Sequence, residues 1–250
     1  MALSLRQIAL VAARLAPVEA DLLDIFAVRA CHRDPAVAAY GLENVLLPFG
    51  QQFLEVVAPT RAGTAAERYL DRRQGDGGYM LITQCEDHEE QRRHVEALGI
   101  RIAHEFKADG FRNMQLDPRD TGGTFLEIDQ QLDDAANWLP AGPDWRAQVC
   151  MERVDAIVAA EIQADDPPAL AAHWARIVQQ PVSDERGLPA LHLANARLRF
   201  APCSDGRPAG LAGLDVRATD KAAVLRAAAR RGVAVADDGF TLAGMRWRLV

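Results

Sequence analysis

The sequence lacks paired cysteines. Cys31, Cys85, Cys150 and Cys203 stand far apart and form no CxxC, so neither a zinc ribbon nor a thioredoxin-type redox pair is signalled. It also lacks any apolar run near the roughly 18 residues that span a bilayer. Met1–Val11 has no basic start followed by a long apolar stretch and a small-residue cleavage site. These absences lead us to expect a cytoplasmic chain with reduced thiols and no membrane partner. Positive charge is not in excess: the net charge is -7, whereas a phosphate binder usually shows a basic face. No nucleic-acid partner is expected, and Arg72-Arg73, Arg92-Arg93 and Arg230-Arg231 read as solvated faces. GxSxG, P-loop and dinucleotide fingerprints are missing, and the six histidines are scattered, with no HxxxH pair.

What is present is ordinary globular composition, with 49% hydrophobic and 25% charged residues in a chain of 250. The informative feature is repetition. Leu5–Ala13 reads as a strand and Pro17–Ala30 as a helix, with Val18, Leu22, Ile25 and Phe26 at helical spacing. Ala36–Tyr40, Asn44–Phe49 and Gln52–Val57 read as three short strands punctuated by Gly41 and Gly50. The pattern then restarts. Gly78–Cys85 is a strand, and His88–Leu98 a helix capped by Asp87 and ended by Gly99. Arg101–Phe106, Phe111–Leu116 and Thr124–Asp129 are three more strands.

The second half repeats the order. Ile157–Ala164, Ala190–Leu193 and Ala196–Ala201 are strands around a helix at Pro168–Val178. Leu211–Ala218, Val233–Ala236, Phe240–Leu242 and Arg246–Val250 are strands around a helix at Lys221–Arg231. Pro17 corresponds to Pro168, Pro59 to Pro202, Asp87 to Asp220 and Gly99 to Gly232. The fold class is therefore α+β: paired β-α-β-β-β modules forming curled eight-stranded mixed sheets with helices outside, duplicated in one chain. The expected domains are 1–129 and 154–250. Residues 130–153 form an ordered linker whose Trp138 and Trp145 should pack rather than face water.

Three segments carry a family resemblance. They are Gly41-Leu-Glu-Asn-Val-Leu-Leu-Pro-Phe-Gly50, Phe53-Leu-Glu-Val-Val-Ala-Pro59 and Leu116-Asp-Pro-Arg-Asp-Thr-Gly-Gly-Thr-Phe-Leu-Glu-Ile-Asp129. With the repeated units they resemble the vicinal-oxygen-chelate superfamily, which includes glyoxalase I, methylmalonyl-CoA epimerase, extradiol dioxygenases and bleomycin-resistance proteins. The resemblance covers Leu5–Asp129 well and Val154–Val250 in outline. It implies a solvent-filled cup in the first half and a divalent metal held by four inward side chains, usually His, Glu or Gln, His and Glu. Those positions fall here on Gln7, Glu55, Met80 and Glu127. Strand alternation independently places each of the four on one face of its strand.

This donor set departs from the family pattern. Gln7 offers only a carbonyl oxygen and Met80 a thioether, which suits soft metals. Gln7, Glu55 and Glu127 therefore leave room for a weak, degenerate divalent site. Glu55 and Glu127 are the candidate catalytic residues. If both are enclosed without a cation, desolvation and repulsion should raise one pKa toward a useful base; the plainer alternative is a salt bridge to an inward Arg. Gln7, Asn44, Met80, Arg112 and Gln115 are candidate substrate contacts, Arg112 as an anion clamp. The second copy looks chemically emptier, with Arg197 and Arg199 on its fourth strand.

Two functions remain open at this point. One is an enzyme acting on a small carbonyl or carboxylate metabolite, a lyase or isomerase moving a proton through an enolate. The other is a non-catalytic protein that sequesters a small molecule in the same cup. A homodimer is open under either.

Overall fold

Asp87 and Asp220 do the same local work at corresponding places. Each side chain accepts a hydrogen bond from the backbone N–H three residues on, Glu90 and Ala223. That satisfies a donor left open in the first helical turn. Past the two helix ends, Gly99 and Gly232 both take left-handed φ, 73° and 80°, where a Cβ would be strained. Pro59 and Pro202 are both the last residue of a strand. The duplication legible in the sequence is thus built from matching caps and stops.

The structure is a computed structural model and describes residues 3–250. The first copy runs β1 (Ser4–Val11), α1 (Leu15–Phe26), β2 (Leu42–Phe49), β3 (Gln52–Pro59), α2 (Ala65–Arg73), β4 (Gly77–Gln84), α3 (His88–Ala97), β5 (Ile102–Ala108), β6 (Phe111–Leu116), α4 (Pro118–Thr121) and β7 (Phe125–Gln131). The second copy runs β8 (Val154–Ala164), α5 (Pro167–Val178), β9 (Ser183–Glu185), β10 (Leu188–His192), β11 (Arg197–Pro202), β12 (Gly210–Ala218), α6 (Lys221–Arg230), β13 (Gly239–Leu242) and β14 (Met245–Leu249). They form two mixed sheets of seven strands, in the orders β2-β3-β1-β4-β7-β6-β5 and β13-β14-β12-β8-β11-β10-β9. Among the described residues no helix is long and apolar enough to cross a membrane.

The first sheet has seven strands rather than eight because one segment was misread, and the second keeps seven by losing one expected strand and gaining another. The run 36–40 is a 3-10 helix, because Pro35 follows Asp34, whose side chain accepts the Ala36 N–H and turns the chain. Residues 233–236 keep only an isolated bridge, Val235 to Phe240. The short strand β9 had no sequence signal. Helix α2 was also missed, although Thr64-Ala-Ala-Glu67 is a capping-box spacing. Thr64 does accept the Glu67 N–H at 3.0 Å.

The chain divides into two compact units, each drawing on both copies. The expected boundaries 1–129, 130–153 and 154–250 follow the chain order, whereas the units follow another division. The first unit holds residues up to Gln7, Tyr79–Leu139 and Ala159–Leu211. In it α3 covers β6 and β7, and α5 covers β10 and β11. The α5 helix is tied to the first copy through Trp174 Nε1, which donates to Thr121 O at 2.7 Å, and His173 Nε2, 2.6 Å from Asp120 O. The second unit holds Ile8–Gly78, Pro140–Val158 and Ala212–Val250. There α1 packs on α6, and Phe26 stacks near Trp247 with centroids 4.9 Å apart. Gln52 imitates a strand neighbour, exchanging two hydrogen bonds with the backbone of Ile157 at 2.6 and 2.9 Å.

Candidate functional site

In the first unit, β7 alternates strictly. Leu126 and Ile128 are fully buried, on the face that α3 covers. Phe125, Glu127, Asp129 and Gln131 take the other face. The register then sets their neighbours. Glu127 lies opposite Gln115 on β6 and Ile82 on β4, and Asp129 opposite Asn113 and Gln84. Met80 pairs with Phe125. This brings Met80, Gln115 and Glu127, all expected from the sequence, onto one polar sheet face. Arg112 sits one residue off that alternation, and its Nη1 donates to Ala108 O and Phe111 O of its own hairpin at 3.1 and 3.0 Å.

The face is not an open cup. The segment after β7 crosses it and binds its polar groups one after another. Gln84 Nε2 donates to Ala135 O, Arg6 Nη2 to Ala136 O, and Leu139 N to Gln131 Oε1, at 3.0, 2.9 and 2.9 Å. Trp138 lies at the centre, 1% exposed, with its ring edge-on to Phe111 at 5.6 Å and the Arg6 guanidinium 5.4 Å from its centroid. Its indole N–H donates to Gln7 Oε1 at 2.8 Å. The expected solvent-filled cup is therefore covered in this unit by the linker, because an indole buries apolar area and finds an acceptor there at once. Glu127 keeps 6% exposure and Asp129 none.

Asp129 was not singled out from the sequence, although it continues the alternation set by Glu127. Asn113 Nδ2 donates to its Oδ1 at 2.9 Å. Burial, then the charge and hydrogen bonding of Glu127, push its carboxyl well above the usual range, and Asn113 opposes them. Nearby Cys85 donates its backbone N–H to Asp129 O at 2.7 Å. Its thiol is pushed up to about 12 by burial, with Asp129 and Asp87 adding to the effect.

The second unit contains Asn44 and Glu55. Glu55 is partly buried on β3, on the same face as Phe53. Asn44 Nδ2 donates to Glu55 Oε1 at 2.7 Å, and Asn44 Oδ1 accepts the Asp34 N–H at 2.8 Å. Trp145 stands edge-on to Phe53 at 5.0 Å. The linker thus supplies a buried tryptophan to each unit.

The donor set does not fit a tight divalent centre. Gln7 spends its carbonyl oxygen on Trp138, Met80 has only its sulfur, and no group of three His, Cys, Asp or Glu side chains poised for a metal occurs among the described residues. The second copy fills its sheet with internal ion pairs instead. Arg199 is 4% exposed and lies 3.5 Å from Glu161 and 3.8 Å from Glu185, and Arg197 lies 3.4 Å from Glu185. Asp215 pairs with Arg248. Arg197 and Arg199 are thus held by the chain's own carboxylates. His104 lines an open groove of about 420 Å³ with Arg92, Glu96 and Ile100 beside α3.

No family model and no curated protein matches the sequence. Solved structures do match in fold. A variant of 4-hydroxymandelate synthase from Streptomyces coelicolor aligns with a TM-score of 0.72 at 15% identity, over 93% of this chain and 76% of that one. A hypothetical protein from Staphylococcus aureus aligns at 0.66 and 11% identity, over 100% and 99%. A methylmalonyl-CoA epimerase from Mycobacterium tuberculosis covers only 50% of this chain, at 21% identity and a TM-score of 0.44. The likeness to a 4-hydroxymandelate synthase extends over 93% of this chain and shows a shared fold, here built of two mixed seven-stranded sheets.

Proposed function

We propose that this chain acts on a small carbonyl or carboxylate metabolite by moving a proton next to the carbonyl, with Glu127 as the base. The carrying observation is the setting of Glu127: a nearly buried carboxyl between Gln115 and Ile82, next to a second carboxyl at Asp129. A carboxylate removed from water is a stronger base than one at the surface. The proton leaves a carbon beside the substrate carbonyl and passes to Glu127, the electron pair forms the enolate, and the same carboxyl can return the proton. Gln115, Met80 and Gln7 would contact the substrate in the first unit, while Arg112, turned to its own hairpin, is not part of that contact set. Glu55, oriented by Asn44, is the corresponding carboxylate of the second unit. No step is routed through a metal, because the donor set does not fit one.

A binding protein that sequesters the same class of compound is the second reading. It is favoured by Trp138, which already occupies Gln7 and covers the sheet face. A cytoplasmic location and a homodimer belong to either reading. The deciding experiment follows exchange of carbon-bound hydrogen for solvent deuterium by NMR, across a panel of 2-oxo acids and malonyl-type acids. The wild type should exchange at least one compound and Glu127→Gln should not. Saturable binding without exchange would replace the enzyme by the sequestering protein.

A further inference from the structure

We propose that β5 is an interaction surface for a second copy of this chain, joined edge to edge as an antiparallel pair of β5 strands centred on Phe106. The terminal strands are β2 and β5 in one sheet and β13 and β9 in the other. A terminal strand offers a row of backbone N–H and C=O groups to any chain that can pair with it. Three of these edges are blunted. The outer side of β2 is taken by the chain before it: Cys31 N donates to Leu46 O and Leu46 N to His32 O, both at 2.9 Å. Outside β13, Val235 forms a bridge to Phe240, and Ala236 N donates to Gly239 O at 2.8 Å. β9 has only three residues, Ser183–Glu185, and its middle and last ones are acidic. β5 is different. It runs for seven residues, Ile102–Ala108, and pairs with β6 on one side. Among the described residues no strand or bridge lies on its other side.

The side chains of β5 decide which partner fits. Glu105 and Lys107 are turned to α3, where Glu105 pairs with Arg92 and Lys107 lies 3.7 Å from Glu89. Phe106 stands between them on the opposite face. It is 49% exposed, and its cross-strand neighbour on β6 is the polar Asn113. A two-fold axis at Phe106 sets the two rings opposite each other. It also sets Glu105 of each copy opposite Lys107 of the other. The run Glu105-Phe106-Lys107 is therefore its own complement. Aromatic pairs and opposite charges directly across two strands are favourable, and like charges there are not.

The register follows from the charges. An axis at Glu105 or at Lys107 would bring that residue against its own copy, so Phe106 is the centre that opposes unlike charges. The same register sets Ala103 against Asp109 of the other copy. That brings the acidic Asp109-Gly110 turn to the groove lined by Arg92, Ile100, Ile102 and Ala103, where the guanidinium offers it a cation. A strand of another protein would gain the same main-chain bonds, but only a second copy is matched by the order of these three side chains. Edge pairing of one strand draws its affinity from main-chain hydrogen bonds, so the association depends on protein concentration.

The test is sedimentation velocity of the full chain over a concentration series. The wild type should pass from monomer to dimer as concentration rises. Glu105→Lys and Lys107→Glu each set like charges opposite one another, so each alone should weaken association by about tenfold. An equimolar mixture of the two variants sets unlike charges opposite again and should restore the dimer. Circular dichroism checks that both exposed substitutions leave the fold intact. Should a variant not fold, hydrogen exchange of the wild type decides: the amides of 103–107 should gain protection as concentration rises, and no gain overturns the proposal. A wild type that stays monomeric up to its solubility limit overturns it as well. So does a dimer that both single variants leave unchanged, because another face then joins the copies. Weakened variants that the mixture does not rescue overturn the pairing centred on Phe106.

Discussion

Asn113 on β6 reaches across to Asp129 on β7 and donates its Nδ2 to Oδ1 at 2.9 Å. Both residues are buried. This amide favours the ionised form of Asp129, against burial and Glu127. Replacing it with Ala should lower stability by about 1–3 kcal/mol, the usual effect of stranding a buried polar group. The loss should be larger at alkaline than at acid pH, because the charged carboxyl needs the donor more. Urea denaturation of Asn113→Ala at two pH values checks both claims.

Asp129 also sets a pH dependence of stability. Its folded pKa lies above the unfolded one, so its contribution is fully present below about 3.9, the unfolded value. That contribution is lost as pH rises through the raised folded value, with a slope of at most about 1.4 kcal/mol per pH unit. The variant Asp129→Asn has no such loss. Its melting temperature relative to wild type should therefore improve steadily from acid to alkaline buffer. A constant difference would show that Asp129 does not titrate in that window.

Trp138 closes the sheet face of the first unit. Removing a fully buried indole should cost about 3–5 kcal/mol, and Trp138→Ala should also expose Gln7 and Glu127. Hydrogen exchange should then accelerate in β1 and in the segment after β7. The milder Trp138→Phe keeps most of the apolar area and loses the bond to Gln7, at about 1 kcal/mol. If Trp138→Ala binds small acids more tightly than wild type, the segment competes with ligand; unchanged binding would make it purely structural.

Metal titration is expected to show no saturable binding of Mn²⁺, Ni²⁺ or Zn²⁺ in the micromolar range by calorimetry. The positions that hold a metal in the superfamily carry an amide already bonded to Trp138 and a thioether. Tight binding that disappears in Glu127→Gln would restore a metal-dependent mechanism.

Arg199 serves the second copy as an internal cation between Glu161 and Glu185. Arg199→Met should destabilise the protein by about 3–5 kcal/mol, because truncating one member of a buried ion group leaves the carboxylates facing each other. Differential scanning calorimetry would show it. A loss near zero would mean that water screens the group.

The repeat was legible because it is written in residues with local consequences. Asp87, Asp220, Gly99 and Gly232 cap and stop helices through bonds to their own neighbours. The misreadings were local too. Pro35 and Asp34 turn a β-like run into a 3-10 helix, and the capping box of α2 was written in Thr64 and Glu67 but masked by a strongly polar helix. Of the site, the strand faces of Gln7, Met80 and Glu127 could be read from period-two alternation.

Sequence alone thus determined most of the strand and helix order, the duplication and the polar residues offered by each strand, since caps, turns and alternation act within a few residues. Only the tertiary structure decided which offers were taken up. Gln7 is claimed by Trp138 across 131 positions of chain, Arg199 by Glu161 and Glu185, and Asp129 by Asn113 and Glu127. Such pairings depend on strand register and on where a linker crosses a sheet. They are set by burial and by the need to satisfy every enclosed polar atom, and neither is encoded in local spacing.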